Sequence, residues 1–201
     1  MDYSRKPLEF AAYVQDKLEL GELVLNAGVR FDYFKPNAKT MIDKRQLSDL
    51  IGASDNLREA STKTQLSPRL GFSFPISDRG AFHVSYGHFF QMPSFEKLFE
   101  RPIDVHMTPL LLASARLGDA DLKPERTIAY EVGLQQELSG QFGLDVTLFY
   151  KDIRDQLGLE AVKTVDAVGF TRYINRDYGR VKGFPFSLEK MRTGLISASP
   201  A

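Results

Sequence analysis

Alternation of apolar and polar side chains with a period of two runs furthest between Thr127 and Asp155. In TIAYEVGLQ, Ile128, Tyr130, Val132 and Leu134 share one face of an extended strand, while Thr127, Ala129, Glu131, Gly133 and Gln135 share the other. A turn carrying Ser139, Gly140 and Gln141 follows. FGLDVTLFYKD then resumes the pattern, with Phe142, Leu144, Val146, Leu148 and Tyr150 against Gly143, Asp145, Thr147 and Lys151. Each predicted strand has about ten residues or more, roughly twice the usual soluble strand and about what a tilted strand needs to cross a bilayer. The face with Glu131, Asp145 and Lys151 must meet water, so the apolar face must meet lipid or a second sheet.

The same period recurs on both sides of this hairpin. It predicts strands over residues 9–19, 23–34, 66–75, 81–91, 126–138, 142–155 and 171–190, the last with a bulge near Asp177 to Gly179. Short turns are expected at Gly21, Asp78, Ser139 and Thr193. Long excursions are expected at 35–65, 92–125 and 156–170, the first holding a helix-leaning stretch, RQLSDLIGASDNLREA. The tail MRTGLISASPA reads as a turn and the stub of an eighth strand. Short and long connections alternate, as in a meander with turns at one rim and loops at the other. The expected fold is all-β: an antiparallel up-and-down meander forming an open curved sheet, part of a transmembrane β-barrel. Its apolar face would carry Leu25, Val29, Phe31, Phe72, Val84, Tyr130, Val132, Val146 and Leu148. A lysine on that face should be costly, and Gly133→Ser on the other face mild.

Composition narrows the function without fixing it. The chain has 201 residues and a formal net charge of +0, which gives no support for nucleic-acid binding. It has no Cys, so disulfide and thiolate chemistry are excluded. No apolar run is long enough for a membrane helix, a test to which barrel strands are invisible. The 15 Phe and 8 Tyr suit interfacial girdles, and an apolar core equally. MDYSRKPLEF has no apolar core of the kind a signal peptide needs, so an exported barrel would make this chain a piece of a longer one.

Catalytic chemistry finds no constellation. His83 and His88 fall on opposite faces of one strand and His106 lies in an excursion, so no metal site is expected. Ser67 and Ser94 sit beside prolines without a nucleophile elbow. Glu131 and Asp145 suit ordering of water on a polar wall better than acid/base work. No cofactor, catalytic, metal or ligand-binding residue is assigned. Phe95, Phe99 and Phe170 are loop aromatics expected to pack the base of the excursions more than to touch a ligand.

The stretches YVQDKLEL, LNAGVRFDYF, LSPRLGFSFPISD, SYGHFFQMPSFEKLF, DADLKPERTIAYEVGLQQEL, LDVTLFYKDIRD and YINRDYGRVKGF resemble, in order and spacing, the barrel of TonB-dependent outer-membrane receptors, from Pro7 to Lys190. The resemblance is closest to the receptors that carry a carboxypeptidase-regulatory-like domain before the plug. It implies a barrel of roughly twenty-two strands, of which this chain supplies about seven. It also implies uptake of a scarce solute across the outer membrane, energised by an inner-membrane TonB complex acting through a plug. The implied partners are outer-membrane lipid, the remainder of the barrel and the plug. Plug, TonB-binding box and a C-terminal strand ending in an aromatic residue are not found in the sequence, and Pro185 stands where relatives carry a lumen-facing Glu. The rival reading is a soluble or periplasmic β-sandwich with a binding role, in which the alternating apolar positions would be buried between two sheets.

Overall fold

The computed structural model describes residues 4–46, 56–100, 116–139, 142–165 and 169–190. In chain order these form β1 (Leu8–Leu20), β2 (Leu23–Lys35), β3 (Lys39–Met41), β4 (Leu57–Glu59), β5 (Lys63–Ser77), β6 (Gly80–Gln91), helix α1 (Phe95–Phe99), β7 (Arg116–Leu117), β8 (Glu125–Ser139), β9 (Phe142–Lys163), β10 (Gly169–Gly183) and β11 (Phe186–Lys190). One open 9-stranded sheet runs β1, β2, β5, β6, β8, β9, β10, β7, with β11 also paired to β9, and β3 and β4 form a separate 2-stranded sheet. All pairs are antiparallel except that β7 lies parallel to β10. The fold is thus an all-β antiparallel meander that does not close among the described residues.

Register carries each face across the sheet. Leu25, Phe72, Val84, Val132 and Leu148 are successive cross-strand partners on one face. Gly28, Arg69, Gly87, Ala129 and Lys151 are successive partners on the other. Among the described residues no second layer covers the apolar face. Phe72 is 41% exposed, Tyr130 48% and Leu148 58%. A sandwich would bury these positions against a second sheet, so the sandwich reading does not describe this fold.

The two ends of the strands differ as up-and-down connectivity requires. Gly21, at φ 65, and Glu22 close β1 onto β2 through the pair Leu20↔Leu23. Ser77↔Gly80 closes β5 onto β6, with a bulge between Pro75 and Ser77. Ser139↔Phe142 closes β8 onto β9 at the same end. The expected turn at Thr193, the eighth-strand stub, His106, Gly140 and Gln141 all lie outside the described residues.

Four expectations are corrected. Residues 156–170 are not a loop: β9 continues to Lys163 and β10 begins at Gly169, so a paired extension projects past the rest of the sheet. Its sequence signal fails at Asp155, whose φ of 60 breaks the alternation while Asn175, Asp177 and Gly179 take up the slip as a bulge. The strand expected over 171–190 is interrupted at Phe184 and Pro185 into β10 and β11. Register is nevertheless kept, from Gly183↔Phe149 to Phe186↔Val146, and the Thr147 N–H donates to the Pro185 carbonyl at 3.0 Å. Residues 35–65 hold β3, β4 and the start of β5, and Leu57–Glu59, at the end of the helix-leaning stretch, is strand. The middle of that stretch, 47–55, lies outside the described residues. Residues 92–125 hold α1, β7 and the first residue of β8.

The buried core sits in the excursions. Phe34, Leu98, Phe99, Leu122 and Tyr173 cluster there, with Ala60, Met92 and Leu157 packed around them. Asp32, Phe34, Lys63 and Ser67 belong to the polar-face phase of β2 and β5 and are buried. The excursions therefore fold back over the polar face at this end and make a structured mouth.

Candidate functional site

The polar face has a repeated local device, an aromatic ring lying on a glycine. A Cβ at Gly87 would lie 3.1 Å from Phe89, and one at Gly183 would lie 2.8 Å from Phe149. At Gly133 it would fall on the His83 imidazole and 2.8 Å from Thr147 Oγ1. The rings lie flat because their neighbours have no side chain, which keeps the wall smooth and shields glycine backbone in the sheet. This overturns the expectation that Gly133→Ser is mild. Gly133→Ser forces His83 off its seat and should cost roughly 1–3 kcal/mol, the range for overpacking. Denaturant unfolding measures it, and adding His83→Ala should restore most of the loss.

Charges on the wall are met within the wall. Ser85 Oγ donates to Glu131 at 3.3 Å, and Gln135 Nε2 to Asp145 at 2.8 Å. The Arg69 guanidinium lies 4.8 Å from the centre of the Phe89 ring, and Lys151 Nζ lies 5.2 Å from that of Phe149. Between them Gly28, Gly71 and Gly87 leave a shallow open trough of about 270 Å³ edged by Gln15, Asn26, Arg69 and Glu131. Such a surface suits contact with water.

The mouth is organised by two aspartates. Asp121 accepts from the Ser61 N–H at 2.8 Å, from the Ser61 hydroxyl, from Lys63 Nζ at 3.0 Å and from Arg58. Lys63 Nζ also donates to the carbonyls of Ser61 at 2.7 Å and Ala120 at 3.1 Å, which satisfies a buried ammonium. Burial alone would raise the Asp121 pKa. The donated hydrogen bonds of Ser61, Lys63 and Arg58 win and hold its carboxyl well below the ordinary carboxylate range. Asp119 accepts from Thr40 Oγ1 at 2.8 Å and from Arg172 Nη2 at 3.2 Å. Asn175 accepts from the Lys123 N–H at 2.7 Å, and donates to the carbonyls of Lys123 at 2.9 Å and Asp155 at 2.7 Å. Residues 119–123 thereby tie the first excursion, the start of β5 and the β9–β10 extension into one body.

The loop aromatics divide. Phe99 is buried in the core of the mouth and Phe170 is buried farther out, near Thr40, Met41 and Leu117, whereas Phe95 is 54% exposed, stacks on Phe34 at 6.4 Å and lies tilted against Phe99 at 6.0 Å. Of these three, Phe95 is therefore the one left exposed. The histidines part as the alternation requires. His83 lies over Gly133 on the wall, and His88 hydrogen-bonds the Tyr86 hydroxyl on the apolar face. Asp119, Asp121 and Arg172 were not singled out from sequence. A signal was present, because two aspartates in a Gly- and Pro-flanked turn suit side chain to backbone ties.

Solved structures place the fold. The FrpB iron transporter of Neisseria meningitidis (F3-3 variant) aligns over 96% of this chain and 25% of its own at 19% identity, with a TM-score of 0.61. The hemophore receptor HasR of Serratia marcescens, solved as a double mutant with HasA and heme, aligns over 94% of this chain and 32% of its own, at 18% identity and TM-score 0.63. The ferric enterobactin receptor PfeA of Pseudomonas aeruginosa (R480A_Q482A mutant) aligns over 89% and 24%, at 16% identity and TM-score 0.62. The chain thus spans about a quarter to a third of the length of these receptors. No curated sequence matches it. The sequence profile described as TonB dependent receptor-like, beta-barrel, matches residues 3–196, nearly the whole chain, and the protein belongs to that family.

Proposed function

We propose that this chain is a section of wall and mouth in an outer-membrane receptor that takes up a scarce solute with energy supplied by TonB. The observation that carries the reading is the two-faced single sheet, apolar and uncovered on one side, polar on the other, and roofed at one end by structured excursions. Lipid covers the apolar face, and the polar face lines the lumen against the plug, through which the inner-membrane TonB complex acts. The excursions stand outside the cell, with Phe95 at the place where a solute first meets the mouth. The similar receptors are described as serving iron, a heme-carrying hemophore and ferric enterobactin. They share the scaffold with this chain.

Uptake tests the proposal. Cells producing the receptor that carries this chain should accumulate one member of a panel of ferric siderophores, vitamins, oligosaccharides and peptides, and only with TonB and a proton gradient intact. Equal accumulation without TonB would replace active transport with passive passage.

A further inference from the structure

A row of tyrosines crosses the apolar face below the excursions. Tyr86, Tyr130 and Tyr150 are successive cross-strand partners, with ring centres 5.1 and 6.2 Å apart, and Lys182 continues the row on β10. Toward the turns the face is apolar, through Val132, Leu148 and Phe184 to Leu134, Val146 and Phe186. Tyr150 to Phe142 is about the nine residues that a tilted strand needs to cross a hydrocarbon layer. The tyrosines therefore stand at the headgroup level.

Immediately above them the same face turns basic. Arg126 and Arg154 are directly opposed across β8 and β9, and Arg180 lies on β10 one row nearer the tyrosines, opposite Asp152. Like charges directly opposite each other are destabilising in a sheet unless something negative is shared between them. Two carboxylates meet part of the charge. Asp155 accepts from Arg126 Nε at 3.0 Å and Nη2 at 2.6 Å, and Asp152 accepts from Arg154 Nε at 2.7 Å and Nη2 at 3.0 Å. Four basic groups with Lys182 against two acidic ones leave an excess of positive charge. The Arg126 and Arg154 side chains are 50% and 53% exposed. Tyr178 lies under Arg154, with the guanidinium 5.9 Å from its ring centre.

Beside this patch the wall is open. The β5–β6 ladder ends at Arg69↔Gly87, where Pro68, which has no N–H, enters β5. The β5–β6 pairing goes no further, and an open cavity of about 810 Å³ is lined by Leu66, His88, Arg126, Arg154, Asp155 and Asp177.

We infer that Arg126, Arg154, Arg180 and Lys182 form a binding site for a phosphate-bearing lipid headgroup, seated above the tyrosine row with its acyl chains along the apolar face. The inference rests on the reading that this face meets lipid. A soluble anion would have no use for the tyrosines beneath, and a neutral lipid none for the arginines. The bidentate fork of arginine suits phosphate, and two of the four groups are arginines already oriented by their carboxylates.

The receptor carrying this chain, reconstituted in phosphatidylcholine nanodiscs doped with phosphatidic acid, should retain the phosphatidic acid selectively in native mass spectrometry. The double variant Arg154→Gln/Arg180→Gln should bind it about thirty-fold more weakly, from the loss of two basic residues at a membrane surface. Lys17→Gln, on the polar face, should leave retention unchanged. Equal retention by the double variant and the parent in a correctly assembled barrel would overturn the lipid site while leaving the membrane reading intact. Displacement of the lipid by inorganic phosphate at equal concentration would make the patch a free-anion site and also overturn it. A barrel that stays monomeric without detergent would instead defeat the membrane reading itself.

Discussion

Asp121→Ala should loosen the mouth by roughly 3–5 kcal/mol, the cost of removing one partner of a buried ion pair and leaving the other uncompensated. The stranded group is Lys63, which is 7% exposed and keeps only two carbonyls once the carboxylate is gone. Hydrogen exchange is the measurement, because the Ser61 N–H loses its acceptor directly. It should exchange with the opening of the excursion rather than with global unfolding, while amides in β8 and β9 keep their protection. Replacing both partners, as Lys63→Met with Asp121→Leu, should recover much of the loss, since no charge is then left buried. The effect has a defined pH dependence. The Asp121 pKa is depressed, so its contribution is complete above the ordinary carboxylate value of about 4. Below that it declines progressively, and it vanishes only once the pH has passed the much lower folded value. The difference between parent and variant should therefore be flat from neutral pH down to about 4 and shrink beneath it. A difference that vanished well above pH 4 would show that the carboxylate is not held by its donors.

The strands that were legible and the mouth that was not differ in the range of the interactions that form them. From Leu23 to Phe34 every second residue faces the same medium, so a period of two within ten residues or so is enough to announce β2. Pro185 has no N–H to give the ladder, and the structure shows that the break is local, since register resumes at Phe186↔Val146. The extension of β9 was not legible. At Asp155 the left-handed backbone turns the strand out of phase, so a window spanning it sees no single alternation. The mouth is harder still. Asp121 meets Ser61 at a separation of 60 residues and Asp119 meets Thr40 at 79. No pattern within one segment encodes those pairs. DADLKPE carries turn chemistry that marks it as a tie, and only the fold says what it is tied to. The ring-on-glycine seats were illegible for a related reason. Gly133 looks like an open position on a polar strand until the register puts His83 across from it.

A lysine series along the apolar face of β8 and β9 should read out depth in the membrane. Val146 pairs with Leu134 on one side and Phe186 on the other, about four residues below the tyrosine row and near the middle of the apolar band. Val146→Lys should therefore destabilise the assembled barrel by roughly 2–4 kcal/mol, the cost of a lysine at the bilayer midplane. Val132, one row closer to Tyr130, should lose somewhat less, because its ammonium has a shorter path to the headgroups. Ile128 lies one row above the tyrosines, beside Asp152 and His88 in the register, and Ile128→Lys should cost about 0–1 kcal/mol. Gln135→Lys serves as the control: the residue is on the polar face, next to Asp145, and the change should be mild. Denaturant unfolding of the receptor in bilayers of fixed thickness gives all four values on one scale. The ordering is the informative part, since general intolerance of substitution in strands would penalise Val146, Val132 and Ile128 alike. A flat series would mean that this face is not graded by a membrane. A series with Ile128 worst would place the hydrocarbon layer at the excursion end, and the tyrosine row would then lie within it rather than at its boundary.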